Sequence, residues 1–190
     1  MTAAPTARDD ELNPLVEIEQ RVQARAKDLA LDMGGPDGDA GLRALIDDEI
    51  RQWGDDFRRG LRPFDLAAPD DLGQRAFDDL ARYGPLTALL DDRDVWEIMI
   101  NAPTAIFVKR HTGPSGYHDD VFHDADHLTR TLTKLLDDAS TSHRKLDPSE
   151  GLQDAQLDDG SRLHIVHGDV SRGGHPMVNI RRFTGVKLVG

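Results

Sequence analysis

The sequence predicts an α+β fold in which a helical bundle precedes a small, mainly antiparallel sheet domain with helices. Up to Arg82, apolar residues recur at three- and four-residue steps, which is typical of amphipathic helices. After the break at Tyr83-Gly84-Pro85, short runs rich in β-branched residues alternate with turn residues, and one helical pattern lies among them. Strands that surround a helix favour an α+β sheet domain, and the change of pattern predicts a domain boundary at this break.

The predicted bundle covers residues 9–82 and follows a disordered segment at residues 1–8. Its first helix is predicted from Asp9 to Leu31, and the glycine-rich stretch that follows ends it. The second helix carries apolar residues between Leu42 and Phe57, and the third begins after Pro69. Three amphipathic helices joined by short loops indicate a bundle, most simply an interaction or spacing module.

The predicted sheet domain covers residues 83–184, and residues 185–190 are expected to begin a linker. Its elements are a helical turn at Leu86–Leu90, strands at Val95–Ile100, Ala105–Arg110 and weakly at Tyr117–Phe122, a helix capped by Asp124, a hairpin with its turn at Asp159-Gly160, and a last strand at Met177–Phe183. Asp at a helix start and Asp-Gly between alternating runs are the local signals for the cap and the turn.

Composition excludes several classes of protein. The 190 residues contain no cysteine, which rules out disulfides, thiolate zinc sites and a cysteine nucleophile. No run of about 18 apolar residues occurs and no signal sequence opens the chain, so a cytoplasmic location is expected. His123 and His127 have the spacing of a zinc-binding helix, but Asp124 stands where a metalloprotease has its glutamate. No metal site is therefore predicted.

The charge is distributed unevenly. The chain has a net charge of −12, yet residues 160–190 hold five basic residues and one acidic residue, a net +4. The other residues then carry −16. A local basic patch on an acidic body suits a small anion such as phosphate, and it makes nucleic acid an improbable partner.

The sheet domain resembles the N-terminal domain of type II and type IV secretion-system ATPases, in particular the CpaF-like pilus-assembly group. The resemblance runs over Tyr83 to Phe183 as an ordered series of short motifs. They are Gly84-Pro85-Leu86, Leu89-Leu90, Asp92 with Val95, Glu97-Ile98-Met99-Ile100-Asn101, Ile106 to Arg110, Phe122 with Asp124, His127 and Leu128, Arg144-Lys145-Leu146-Asp147, Asp154 to Arg162, and Ile180-Arg181-Arg182-Phe183. The helices before Tyr83 resemble the helical extension of the CpaF-like members more loosely.

The resemblance implies a function that this chain performs with a second domain. Such ATPases bind ATP and Mg²⁺ in a P-loop motor domain, assemble as homohexamers and act on an inner-membrane platform protein. This chain contains no G-x-x-x-x-G-K-[ST] motif, because none of its five lysines follows a glycine. We therefore expect an N-terminal region separated from its motor domain, cytoplasmic and peripheral to the inner face of the membrane, which neither binds a cofactor nor hydrolyses ATP alone.

The resemblance also implies a site. In the family the N-terminal domain supplies cations to the nucleotide phosphates, and arginine suits this role because its planar fork binds two oxygens and stays charged. The candidates are Arg162, Arg181, Arg182 and Arg144. Adjacent residues of a strand point to opposite faces, so only one of Arg181 and Arg182 can reach a given nucleotide. Two alternatives remain: ordinary surface ion pairs for each arginine, and a stand-alone sensor or protein-interaction module that binds no nucleotide.

Overall fold

The computed structural model describes residues 13–139, 145–168 and 174–183. The helices are α1 (Pro14–Asp28), α2 (Gly38–Arg58), α3 (Pro69–Ala81), α4 (Leu86–Asp91) and α5 (Ala125–Asp138), with a 3₁₀ turn at Pro148–Glu150. The strands are β1 (Val95–Ala102), β2 (Ala105–Arg110), β3 (Gly116–Tyr117), β4 (Leu152–Gln156), β5 (Arg162–Val166) and β6 (Met177–Arg181). The predicted α+β class, with helices before an antiparallel sheet, is confirmed. The predictions for residues 1–8 and 185–190 and for Arg144 lie outside the described residues.

The chain divides into two compact units between Arg82 and Tyr83. The first unit contains α1, α2 and α3, which share one apolar core. Helix α1 begins at Pro14, later than predicted, because Asn13 is extended and its Oδ1 accepts a hydrogen bond from the Leu15 amide. A proline at the first helical position costs no hydrogen bond, so Asn13-Pro14 forms a strong start signal.

Arg62 joins two parts of the first unit. Its Nη1 and Nη2 donate to the two carboxylate oxygens of Glu17 at 2.8 and 2.6 Å. Its guanidinium carbon lies 3.8 Å from the ring centroid of Trp53, whose Nε1 donates to the Phe64 carbonyl at 3.1 Å. The Arg62 side chain is 17% exposed. The hydrogen bonds from Arg62 lower the pKa of the Glu17 carboxyl, although partial burial opposes this. The ion pair and the cation–π contact therefore fasten the loop after α2 to α1.

Arg62→Met is expected to lower the free energy of unfolding of the first unit by about 1–2 kcal/mol, because a bidentate ion pair and a cation–π contact are lost together. The pKa of Glu17 is lower in the folded state than its ordinary value of 4.5, so the pair stabilises fully above that pH. The difference between wild type and variant should therefore shrink as the pH falls below 4.5. Urea unfolding at a series of pH values measures this difference.

The matched control is Arg51→Met, which removes an exposed ion pair with Asp48. An equal loss of unfolding free energy in both variants would contradict the stabilising role of Arg62.

The second unit contains one six-stranded sheet in the order β3-β2-β1-β6-β5-β4, and every neighbouring pair is antiparallel. Helices α4 and α5 contribute to the apolar core on one face of the sheet. The fully buried members of that core include Ile98, Ile100, Ile106, Leu163 and Ile180 from the strands and Leu86, Leu128 and Leu132 from the helices. The strand residues between the core positions lie on the opposite face.

Two predicted strands are longer than the observed ones. The weak strand at Tyr117–Phe122 is only Gly116–Tyr117, because Phe122 turns into the core, where it is fully buried, and its amide donates to the Pro103 carbonyl at 3.0 Å. The last strand ends at Arg181 and not at Phe183. Helix α5 starts as predicted, since Asp124 Oδ1 accepts a hydrogen bond from the His127 amide at 2.8 Å. None of the helices in the described ranges is both long and apolar enough to cross a bilayer.

Candidate functional site

A row of polar side chains crosses the sheet on the face opposite the core. The backbone register places these residues side by side on β2, β1, β6, β5 and β4. We call them the charged row; in strand order they are Lys109, Glu97, Arg181, Arg162 and Gln156. The row contains three cations and one carboxylate. It is therefore a cationic strip on a chain whose net charge is −12.

Arg162 and Arg181 are the centre of the charged row. They are direct partners across β5 and β6, and both are exposed. Directly opposite residues of antiparallel strands have Cβ atoms about 4.5–5.5 Å apart, and like charges in this arrangement destabilise a sheet. Within the described part of the chain, Arg162 forms no ion pair and no side-chain hydrogen bond. An anion bound between the two guanidinium groups would relieve this repulsion.

Glu97 holds the β1 side of the row. Its carboxylate is almost fully buried and accepts a hydrogen bond from Asn179 Nδ2 at 2.7 Å. Lys109 Nζ lies 3.2 Å from the second carboxylate oxygen. Burial alone raises the pKa of Glu97, but Asn179 and the positive charges of Lys109 and Arg181 outweigh it and lower the pKa below its ordinary value. Glu97 is therefore an anionic anchor within the cationic row.

Arg181 is held loosely by this anchor. Its Nε lies 3.7 Å from Glu97 Oε1, whereas a charge-assisted N–H···O bond is about 2.7–2.9 Å long. The Arg181 side chain is 69% exposed. Because Glu97 has closer partners in Asn179 and Lys109, Arg181 can turn its donors to a ligand without leaving a buried carboxylate unpaired.

Arg182 lies away from the charged row. Its side chain is 9% exposed, and Nη1 donates to the carbonyl oxygens of Leu89 at 2.8 Å and Asp92 at 2.7 Å. Nη2 lies 3.7 Å from Asp159 Oδ2. The structure thus brings Arg162 and Arg181 together and directs Arg182 to backbone carbonyls, while Arg144 lies outside the described residues.

The turn before Arg162 depends on Gly160. Gly160 has φ +87°, a left-handed conformation that glycine adopts without strain, and a Cβ there would lie 3.4 Å from the Cβ of Phe183. The Ser161 amide donates to Asp159 Oδ1 at 2.8 Å, which closes the turn locally. This compact turn places Arg162 at the first position of β5.

The His123–His127 pair is part of the local structure at the start of α5. The His123 amide donates to His127 Nδ1 at 3.0 Å, and the two rings stack with centroids 4.6 Å apart. His127 is buried. The four-residue spacing thus brings the two rings together at a helix start, where one nitrogen of His127 accepts a backbone hydrogen bond.

Comparison with known proteins yields one type of match. No family model matches the chain, and no curated protein matches it. Among solved structures, the chain is similar to the VirB11 ATPase of the Brucella suis type IV secretion system, whose structure was determined in complex with sulphate. The two share 27% sequence identity with a TM-score of 0.43, over 52% of this chain and 29% of that protein. The chain thus corresponds to less than a third of the VirB11 length, and this TM-score leaves the function to be inferred from the chain's own residues.

Proposed function

We propose that this chain is the N-terminal regulatory and oligomerisation region of a hexameric secretion or pilus-assembly ATPase. In this proposal Arg162 and Arg181 bind the phosphates of ATP held by a P-loop domain of the same protein. The ordered series of motifs from Tyr83 to Phe183 supports the family, and the CpaF-like group is part of the proposal. The proposed setting is the cytoplasmic face of the inner membrane, with a platform protein as the partner.

The observation that carries the proposal is the direct pairing of Arg162 with Arg181 on an exposed sheet face. Charge accumulates on the phosphate oxygens during phosphoryl transfer, and added cations stabilise it. Two neighbouring guanidinium groups can donate to different oxygens of one polyphosphate. Guanidinium groups are donors only, so the pair fits the phosphates of ATP and not its Mg²⁺, which needs oxygen ligands. A P-loop domain would supply the Mg²⁺ site and would orient the attacking water.

Tripolyphosphate, the phosphate chain of ATP without its nucleoside, is expected to bind this chain weakly at the arginine pair. In a titration followed by NMR of the arginine Nε–H groups, the signals of Arg162 and Arg181 should shift first. Arg162→Ala should weaken binding about tenfold, because a hydrogen bond to a charged group contributes about 1.5–3 kcal/mol and each 1.4 kcal/mol is tenfold in affinity.

The matched control is Arg93→Ala, since Arg93 is an exposed arginine of the same unit that lies outside the charged row. It should bind tripolyphosphate like the wild type. Equal weakening in both variants would show that tripolyphosphate responds only to overall charge. That result, or the absence of shifts at Arg162 and Arg181, would contradict the proposed site and favour a module that binds no nucleotide.

A further inference from the structure

Arg182 connects the end of β6 to the end of α4. Its backbone amide donates to the Trp96 carbonyl at 2.8 Å, which ties it to β1. Its side chain donates to the carbonyls of Leu89, in the last turn of α4, and of Asp92, the residue after the helix. Carbonyls at a helix C-terminus lack partners within the helix, and a cation there is favourable. Arg182 is therefore held at three backbone groups from two different segments.

The same guanidinium reaches the turn between β4 and β5. Asp159, 3.7 Å from Arg182 Nη2, belongs to this turn, and Phe183 lies beside Gly160 at its tip. Arg162 follows three residues after Asp159. The turn that precedes Arg162 thus lies beside Phe183 and is joined to Arg182 by a long ion pair.

We infer that Arg182 is a positioning residue, which holds Arg162 and Arg181 in the arrangement that binds phosphate without touching the phosphate itself. The inference rests on the proposed function. Arg181 is the neighbour of Arg182 in sequence, and Arg162 follows the turn that Arg182 contacts. One nearly buried side chain therefore connects α4 to the backbone on which both members of the pair are mounted.

The Arg182→Lys variant keeps the positive charge of residue 182, so it distinguishes an effect of side-chain geometry on tripolyphosphate binding from an effect of charge alone. One ammonium group can reach the α4 carbonyls, but it lacks the planar fork that spans them and Asp159 together. Arg182→Lys should therefore weaken tripolyphosphate binding about tenfold, since small misplacements of binding groups are costly. If Arg182 acted only through its charge, the variant would bind like the wild type.

A double-mutant cycle with Arg162→Ala tests whether Arg182 acts through Arg162. The combined variant should lose less affinity for tripolyphosphate than the sum of the two single losses, because the part of the Arg182 effect that passes through Arg162 disappears with Arg162. Fully additive losses would show that Arg182 does not act through Arg162, and would overturn the inference. Arg110→Lys is the matched control: Arg110 pairs with the Asp92 carboxylate, so the same substitution loosens a neighbouring contact without touching the β4–β5 turn. It should leave tripolyphosphate binding unchanged.

If Arg182→Lys does not fold, Gly160→Ala is a second variant with which to test the inference. It changes no charge, leaves Arg182 in place and strains a turn whose φ is +87°. It should also weaken tripolyphosphate binding, and normal binding would overturn the inference. Wild type that fails to bind at Arg162 and Arg181 overturns the proposed function, whereas binding that depends on these two residues but not on Arg182 or Gly160 overturns only the positioning role.

Discussion

Arg162→Ala is expected to lower ATP turnover about 10³–10⁵-fold in an ATPase that carries this chain beside its P-loop domain, the range measured for arginines that stabilise charge in phosphoryl transfer. Folding should be almost unaffected. Arg162 is exposed, and within the described ranges it has no ion pair to lose. Its removal even relieves the repulsion with Arg181. An ATPase assay and a melting curve on the same preparation measure the two effects.

Arg162→Lys sharpens this prediction. Lysine keeps the charge but cannot donate two parallel hydrogen bonds to a phosphate, so turnover should remain well below the wild-type rate. Arg93→Ala, outside the charged row, should turn over ATP normally. Normal rates in both Arg162 variants would exclude Arg162 from the reaction and leave Arg181 as the arginine to examine.

Leu132→Ala is expected to lower the free energy of unfolding of the sheet unit by about 2–5 kcal/mol, the usual cost of a large-to-small change in a packed core. Leu132 is on α5, is fully buried and belongs to the core shared with the strands. Truncation removes apolar contacts and leaves a cavity between the helix and the sheet. Urea unfolding followed by NMR signals of β1 and β6 measures the change within this unit.

Leu152→Ala is the control for that prediction, because Leu152 is on β4 of the same unit but 67% exposed. Its removal should change the free energy of unfolding by less than about 0.5 kcal/mol. Equal losses from Leu132 and Leu152 would mean that α5 does not pack on the sheet as described. If only Leu132→Ala lowers the free energy of unfolding, the packing between α5 and the strands contributes to the stability of the unit.

Local patterns were sufficient for most of the helices and strands. The apolar spacing in α5 and the cap at Asp124 involve residues a few positions apart, so a short stretch of sequence is enough to predict them. The same holds for the Asp159-Gly160 turn. The prediction was wrong where contacts distant in sequence determine the structure. The strand predicted to reach Phe122 ends at Tyr117, because Phe122 enters a core built from other segments.

The candidate site shows the same division. Alternation along a strand already indicated that Arg181 and Arg182 face opposite ways. The pairing of β5 with β6 determines which of the two arginines lies beside Arg162. The pairing of β1 with both β2 and β6 places Glu97 and Lys109 in the same row. Asn179 and Glu97, which are hydrogen-bonded, lie 82 positions apart in the chain. No local signal contains such a contact.

The sequence by itself determined the α+β class, the position of the helices, the turn before Arg162 and the presence of arginines near the end of an acidic chain. The tertiary structure alone decided the strand order, the register that sets Arg162 against Arg181, and the burial of Arg182 against the carbonyls of α4. The physical reason is that helices and tight turns are stabilised by neighbours in sequence, whereas strand register is selected by the burial of a whole sheet face against its helices.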